Sequence, residues 1–236
     1  ALTWSSSDAS AGGLSWVTTF RAYTSGPMVF EQAFPLGWTS GLGERSDVDV
    51  PATAFPSFQL DDSITKDLTL VTFRGQNAAQ TTHYGRWPLS YRGGYLGGPV
   101  CFVADDLGSA MVMSPLNNLM ITEHNIKTCT APPAEGNCTA LQYGVQGLIQ
   151  QLPPKTRLEF VLNVFLAKQR GYVQARPTAG MVAAAFMSWG DMLLRYHEKN
   201  RTLPNASVAI SRLGYSTTGI YHYNPCDCVN NSDGER

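Results

Sequence analysis

The sequence is short of charge. Asp, Glu, Lys and Arg make up 15% of its 236 residues, against roughly 25% in an average soluble domain. The 18 acidic and 17 basic residues nearly cancel, leaving a formal net charge of −1. No global field therefore recruits nucleic acid or an anionic membrane. No apolar run approaches the roughly 18 residues a membrane-spanning helix needs. The four histidines, His83, His124, His197 and His222, show neither H-x-x-x-H nor H-E-x-x-H spacing, so no metal site and no cofactor are expected. There is no G-x-S-x-G elbow for a serine nucleophile. The Gly-rich run Arg92–Gly98 lacks the Lys-Ser/Thr of a nucleotide loop and reads as a loop crossing a sheet edge.

What the chain does hold is 22 Gly, 14 Pro and 11% aromatics. That is the composition of a turn-rich β protein, long enough for one large domain or two small ones. Leu14–Tyr23 and Pro27–Phe34 read as a hairpin joined at Thr24-Ser25-Gly26. Gly37–Phe58 reads as a long loop, Leu68–Gly75 as a strand, and Gln76–Gly98 as irregular. Val100–Ala104 and Ala110–Met113 form a second hairpin around an Asp/Gly turn, and Leu119–Thr122 a further strand. In Leu158–Leu166 the residues Leu158, Phe160, Leu162, Val164 and Leu166 share one face at period two, a strand signature. The opposite face, with Glu159, Val161, Asn163 and Phe165, mixes polar and apolar types, as in a sandwich strand half covered on its second side.

Helical periodicity is strong once, after Pro177. Val182, Phe186, Trp189, Leu193 and Tyr196 recur at i, i+4, i+7, i+11 and i+14 as an apolar stripe. Gly190 weakens that helix, and Arg195, His197 and Lys199 crowd its C-terminal turns, where the dipole favours cations. The expected plan is mainly β: a β-sandwich over 1–175, an amphipathic linker helix over 176–200, and over 201–236 a solitary strand and tail.

Four N-x-[S/T] sequons, at Asn137, Asn200, Asn205 and Asn230, lie in polar, turn-like stretches. Ala1 opens directly into polar sequence, as a trimmed mature N-terminus would. Cys129 and Cys138 bracket a Pro/Gly loop that a disulfide would close. These features point to a secreted, glycosylated protein. Cys101, within an apolar run, reads as a buried small hydrophobe. Cys226 and Cys228 are too close to bond each other comfortably. With five cysteines in all, they are candidates for inter-chain pairing.

Candidate chemistry is sparse. Asp61-Asp62 and Asp105-Asp106 are adjacent pairs whose side chains would point to opposite faces of a strand, so neither forms a facing acid/base dyad; both read as turn residues. Trp38, Tyr84, Trp87, Tyr91 and Tyr95 lie in Gly-rich stretches. Their rings could stack on sugars or pin long loops onto the sandwich; of these, Trp38 and Trp87 are carried forward as sugar-contact candidates.

The segments "MVMSPLNNLMITEH" and "MSWGDMLLRYHEKNRT…ISRLGYSTTGIYHY", with "TAFPSF" and "YGVQGLIQQLPPKTRLEFVLNVF", resemble secreted glycoside-hydrolase-like proteins distantly akin to raffinose synthase and α-galactosidase. The resemblance spans most of the chain from about residue 50. It implies an N-terminal β-supersandwich and a linker helix, followed by the first strand of a (β/α)₈ barrel completed by another chain. That strand carries a motif like "LGYWTDNGAYYYY"; Leu213-Gly214-Tyr215, Thr217 and Tyr221-His222-Tyr223 match it here. Tyr215, Thr217 and Thr218 are thereby further sugar-contact candidates, and the catalytic carboxylates would lie on later barrel strands outside this chain. The motif's Asp-Asn is missing, replaced by Thr218-Gly219 in a shortened segment. An acidic group there would bind sugar hydroxyls, and its loss argues against ordinary hydrolase activity. The ending "NNSDGER" resembles the product of trypsin-like processing. The implied partners are the C-terminal barrel chain of the same precursor and a carbohydrate. A non-catalytic extracellular structural or carbohydrate-binding glycoprotein is the alternative.

Overall fold

The structure, a computed structural model, describes residues 1–5, 15–24, 26–39, 51–72, 83–88, 91–95, 98–104, 108–129, 138–166 and 179–200. The chain divides after His197, and every element below belongs to the first unit, Ala1–His197. In chain order the elements are β1 (Leu2–Ser5), β2 (Ser15–Ala22), β3 (Met28–Phe34), β4 (Trp38–Thr39), β5 (Ser57–Asp61), α1 (Asp62–Thr65), β6 (Leu68–Thr72), β7 (His83–Arg86), β8 (Tyr91–Tyr95), β9 (Val100–Ala104), β10 (Ser109–Pro115), β11 (Thr122–Thr128), β12 (Cys138–Val145), β13 (Gln151–Leu152), β14 (Thr156–Leu166) and α2 (Ala179–Tyr196). Among the described residues, eight strands form one sheet in the order β1-β2-β3-β14-β10-β9-β6-β7. Four form a second in the order β5-β12-β11-β8, and β4 pairs with β13. All pairings are antiparallel. The protein is mainly β.

Period-two patterning explains the core. Leu158, Phe160 and Leu162 of β14, with Phe30 and Phe34 of β3 and Met113 of β10, face Ile126, Leu141, Tyr143 and Val145 of the smaller sheet in one buried cluster. Two sheets thus meet face to face, each apolar on its inner side. Burial of each such large side chain is worth about 1.5–3 kcal/mol. Tyr143 ties the layers: its ring stacks on His124 at 5.0 Å, meets Phe160 edge-on at 5.5 Å, and its hydroxyl donates to the Met113 carbonyl at 3.1 Å. Buried Gln32 holds the 51–56 segment against the sandwich. It donates to the Phe55 carbonyl and accepts from Thr53 Oγ1 at 2.6 Å, and that same oxygen accepts from the Val145 amide at 3.0 Å.

The opposite face of the large sheet is covered by α2, which explains why β14 is apolar on both sides. Cys101, Val103, Ala110, Val112 and Phe165 pack with Met181 and Ala185; Val29, Leu116 and Val161 pack with Met192. The polar positions find partners too: Asn163 Nδ2 donates to Ser188 Oγ at 3.3 Å and Trp189 Nε1 to Ser114 Oγ at 2.8 Å. The most buried line of the helix is Met181, Ala185 and Met192; Val182, Phe186, Trp189 and Leu193 of the expected stripe are half-buried against the same clusters and Tyr196 is exposed, so the contact face is turned from the expected line toward the preceding residues. Fully buried Ala185 lets the helix approach the sheet closely, so the larger side chains grip from the flanks.

Other expectations shift at the edges. Leu119–Ile121 is a 3₁₀ turn rather than a strand, introduced by Asn118 at φ 52°, a left-handed conformation asparagine tolerates. The strand begins at Thr122. The stretch expected to be irregular, 76–98, supplies the edge strands β7 and β8. Edge strands need only one partner and one covered face, so Gly- and Tyr-rich sequence suffices. The expected loop 37–58 holds β4 and the start of β5.

Candidate functional site

The outer face of the large sheet carries a charged cluster where α2 ends. Glu31 of β3 and Glu159 of β14 are direct cross-strand partners, and like charges so placed repel. Arg21 of β2 resolves the conflict. Its Nη1 donates to Glu31 Oε2 at 3.1 Å and its Nη2 to Glu159 Oε1. Glu159 Oε2 also accepts from Asn117 Nδ2 at 3.2 Å and from the Tyr196 hydroxyl, and the Glu159 amide donates to Asn117 Oδ1 at 3.0 Å. Glu159 is thus the junction of three side-chain donors drawn from β2, the turn after β10, and the last turn of α2.

The electrostatics follow from this wiring. Burial works against the Arg21 charge, but the hydrogen bond and charge of Glu159 and the charge of Glu31 outweigh it, so the guanidinium is held above its ordinary value. Burial, and then donation to Glu159, push the Tyr196 phenol up to about 12. Beside the cluster lies a groove of about 680 Å³, walled by Arg21, Glu159, Tyr196, Tyr23 and Arg195 and floored by Pro27, Val29 and Met192. The arrangement places a guanidinium, two carboxylates and a phenol hydroxyl side by side, a set that can donate and accept hydrogen bonds at one edge of the groove.

The sequence-derived candidates fall elsewhere. Trp38 and Trp87 are 7% and 9% exposed and belong to the inter-sheet core. Trp87 Nε1 donates to Thr139 Oγ1 at 2.8 Å and its ring meets Phe102 edge-on, while Trp38 packs near Phe34. Neither ring face is open to a sugar; both pin loops. The glycine-rich stretches suggested loops, whereas Trp38, Tyr84, Tyr91 and Tyr95 lie on short strands, and the glycines gave no sign of the direction in which the two Trp rings point. Tyr84, by contrast, is exposed. Asp61 caps α1, accepting from the Ile64 amide at 3.3 Å and from the Ser63 hydroxyl. These bonds, the Ser63 hydroxyl first, hold its carboxyl below the usual value. Cys129 and Cys138 form the expected disulfide, with Cα atoms 5.4 Å apart. Cys101 is a free, buried thiol pushed up to about 12 by desolvation. Asn200 is exposed. Asn137, Asn205, Asn230, Tyr215, Thr217, Thr218, Cys226, Cys228 and the Asp105-Asp106 pair lie outside the described residues.

Sequence reasoning missed the Arg21–Glu31–Glu159–Tyr196 cluster. The available signal was one glutamate within each of two largely apolar strand segments, "VFEQAF" and "LEFVLN", in a chain poor in charge.

Fold and site define a mainly-β protein of two facing sheets and a flanking helix, with a polar groove at the helix end. No family model matches the chain, nor does any curated protein or solved structure.

Proposed function

We propose that this chain is the non-catalytic N-terminal part of a secreted glycoside-hydrolase-like protein. On this reading the sandwich is a β-supersandwich that supports a (β/α)₈ barrel supplied by further polypeptide, with Arg212–Tyr223 as the barrel's first strand. The observation that carries it is the order of parts. Among the described residues, two facing sheets are followed in chain order by one helix docked on the larger sheet, and that helix ends sixteen residues before "RLGYSTTGIYHY". Intact-mass analysis and peptide sequencing of the native protein test this reading. The expected result is a barrel polypeptide, continuous or co-purifying, with two carboxylates at the ends of its strands. Native material containing no barrel polypeptide would overturn it.

A second reading, a non-catalytic extracellular carbohydrate-binding glycoprotein, is favoured by the groove itself. There, exposed Tyr23 and Tyr196 flank paired donors and acceptors.

A further inference from the structure

We propose that the groove beside the Arg21 clamp is a binding site for neutral oligosaccharide. This rests on the sugar-related reading above and gives it a location. Three features of the groove converge on that ligand class.

Charge is the first. Arg21, Arg195 and Glu159 line the groove, and Glu31, not itself a lining residue, is ion-paired to Arg21, so two cations are set against two carboxylates. The sum is zero, so neither an anionic nor a cationic ligand gains a net attraction. Hydrogen-bonding capacity is the second. A guanidinium has five N–H donors and a carboxylate about four acceptor positions. Arg21 uses one Nη1–H on Glu31 and one Nη2–H on Glu159, leaving one hydrogen on each Nη; its Nε is buried and is not offered to a ligand. Glu159 Oε1 accepts from Arg21, and Oε2 from Asn117 and Tyr196. Unspent donors and acceptors therefore lie side by side, held in place by the clamp. A sugar hydroxyl both donates and accepts, and it is suited to such a pair. Apolar surface is the third. Tyr23 and Tyr196, 52% and 43% exposed, stand at the rim, and Pro27, Val29 and Met192 give a C–H floor. A pyranose has polar edges and apolar faces, which match this combination of planar polar groups and aromatic rings.

The test uses the full chain and named probes: maltohexaose, cellohexaose, mannohexaose and galactohexaose, titrated to about 10 mM by calorimetry or NMR. At least one hexaose is expected to bind. Tyr23→Ala and Arg195→Ala are each expected to weaken it about tenfold or more, the loss of one stacking or charge-assisted contact, with thermal melts unchanged. Affinity should vary little with salt, since no net charge is neutralised. Binding by none of the probes overturns the proposal. So does binding confined to a sulfated glycan and abolished by salt, or to an extended peptide. A hexaose that binds but is indifferent to both substitutions overturns the groove while leaving the proposed function standing, because that reading is judged separately by the barrel polypeptide.

Discussion

At Gly144, near the end of β12, a β-carbon would lie 1.8 Å from the Thr53 carbonyl oxygen. That oxygen belongs to backbone, so nothing can rotate out of the way. The 51–56 segment runs against β12 here through Ala52 N to Val145 O at 2.8 Å and Phe55 N to Tyr143 O at 2.9 Å. Gly144→Ala is expected to push this segment off the strand and cost about 2–4 kcal/mol, read as a lower urea midpoint at unchanged slope. Gly190, midway along α2, is the converse case. A β-carbon there meets nothing within 4 Å, and the position is helical. Gly190→Ala should raise stability by about 0.5–1 kcal/mol, the helix-propensity difference, measurable in the same titration. The two glycines are alike in sequence; only the distance to a neighbouring backbone separates the outcomes.

Helix α2 is attached to the sheet by its apolar stripe, by the hydrogen bonds of Ser188 and Trp189, and by Tyr196 at its last turn. The Tyr196 hydroxyl donates to Glu159 only while protonated, and its pKa in the fold, about 12, stands above the ordinary 10.0. A raised folded pKa means the stabilisation is complete below the unfolded value and is lost as pH climbs through the folded one. The contribution should therefore be constant up to about pH 9 and decline between about pH 10 and 12. Tyr196→Phe removes the donor. Relative to wild type, the variant should be less stable at neutral pH, and the difference should shrink as pH rises through that window. Urea midpoints measured in parallel from neutral to alkaline pH check this; a gap that is constant with pH would contradict it. The phase of α2 belongs to this scale too. Ranking residues by size and hydrophobicity selects Phe186 and Leu193 as the stripe. Packing against a flat sheet instead puts Ala185 at the centre, because close approach of helix and sheet requires a small residue there.

For the molecule as a whole, the Cys129–Cys138 bridge joins the end of β11 to the start of β12 across a sequence separation of 9. Those strands are the centre of the small sheet, so the crosslink restricts the unfolded chain at the middle of the fold. Paired Cys129→Ser and Cys138→Ser replacement should lower stability by about 2–3 kcal/mol, the loop-closure term for so short a ring, measured by denaturant titration. Peptide mapping of the native protein should recover the two cysteines linked.

How much of this was legible in the sequence depended on the range of the interactions. The Leu158–Phe160–Leu162 face, the hairpin of Val100–Ala104 with the following strand, and the burial of Cys101 could all be read locally. Each depends on alternation or on the apolar character of immediate neighbours, which the chain carries wherever it folds. The outward or inward aim of Trp38 and Trp87 could not, since a ring beside glycines can turn either way until a second layer exists to receive it. The groove was least legible of all. Arg21 lies 10 residues from Glu31 and 138 from Glu159, and only the strand order β2-β3-β14 makes them neighbours. The sequence by itself determined the mainly-β class, the strong strands and the presence of one amphipathic helix, because period and composition are properties of the chain. Tertiary structure alone decided which charges meet, since that depends on which strands lie side by side, and no local pattern specifies that order.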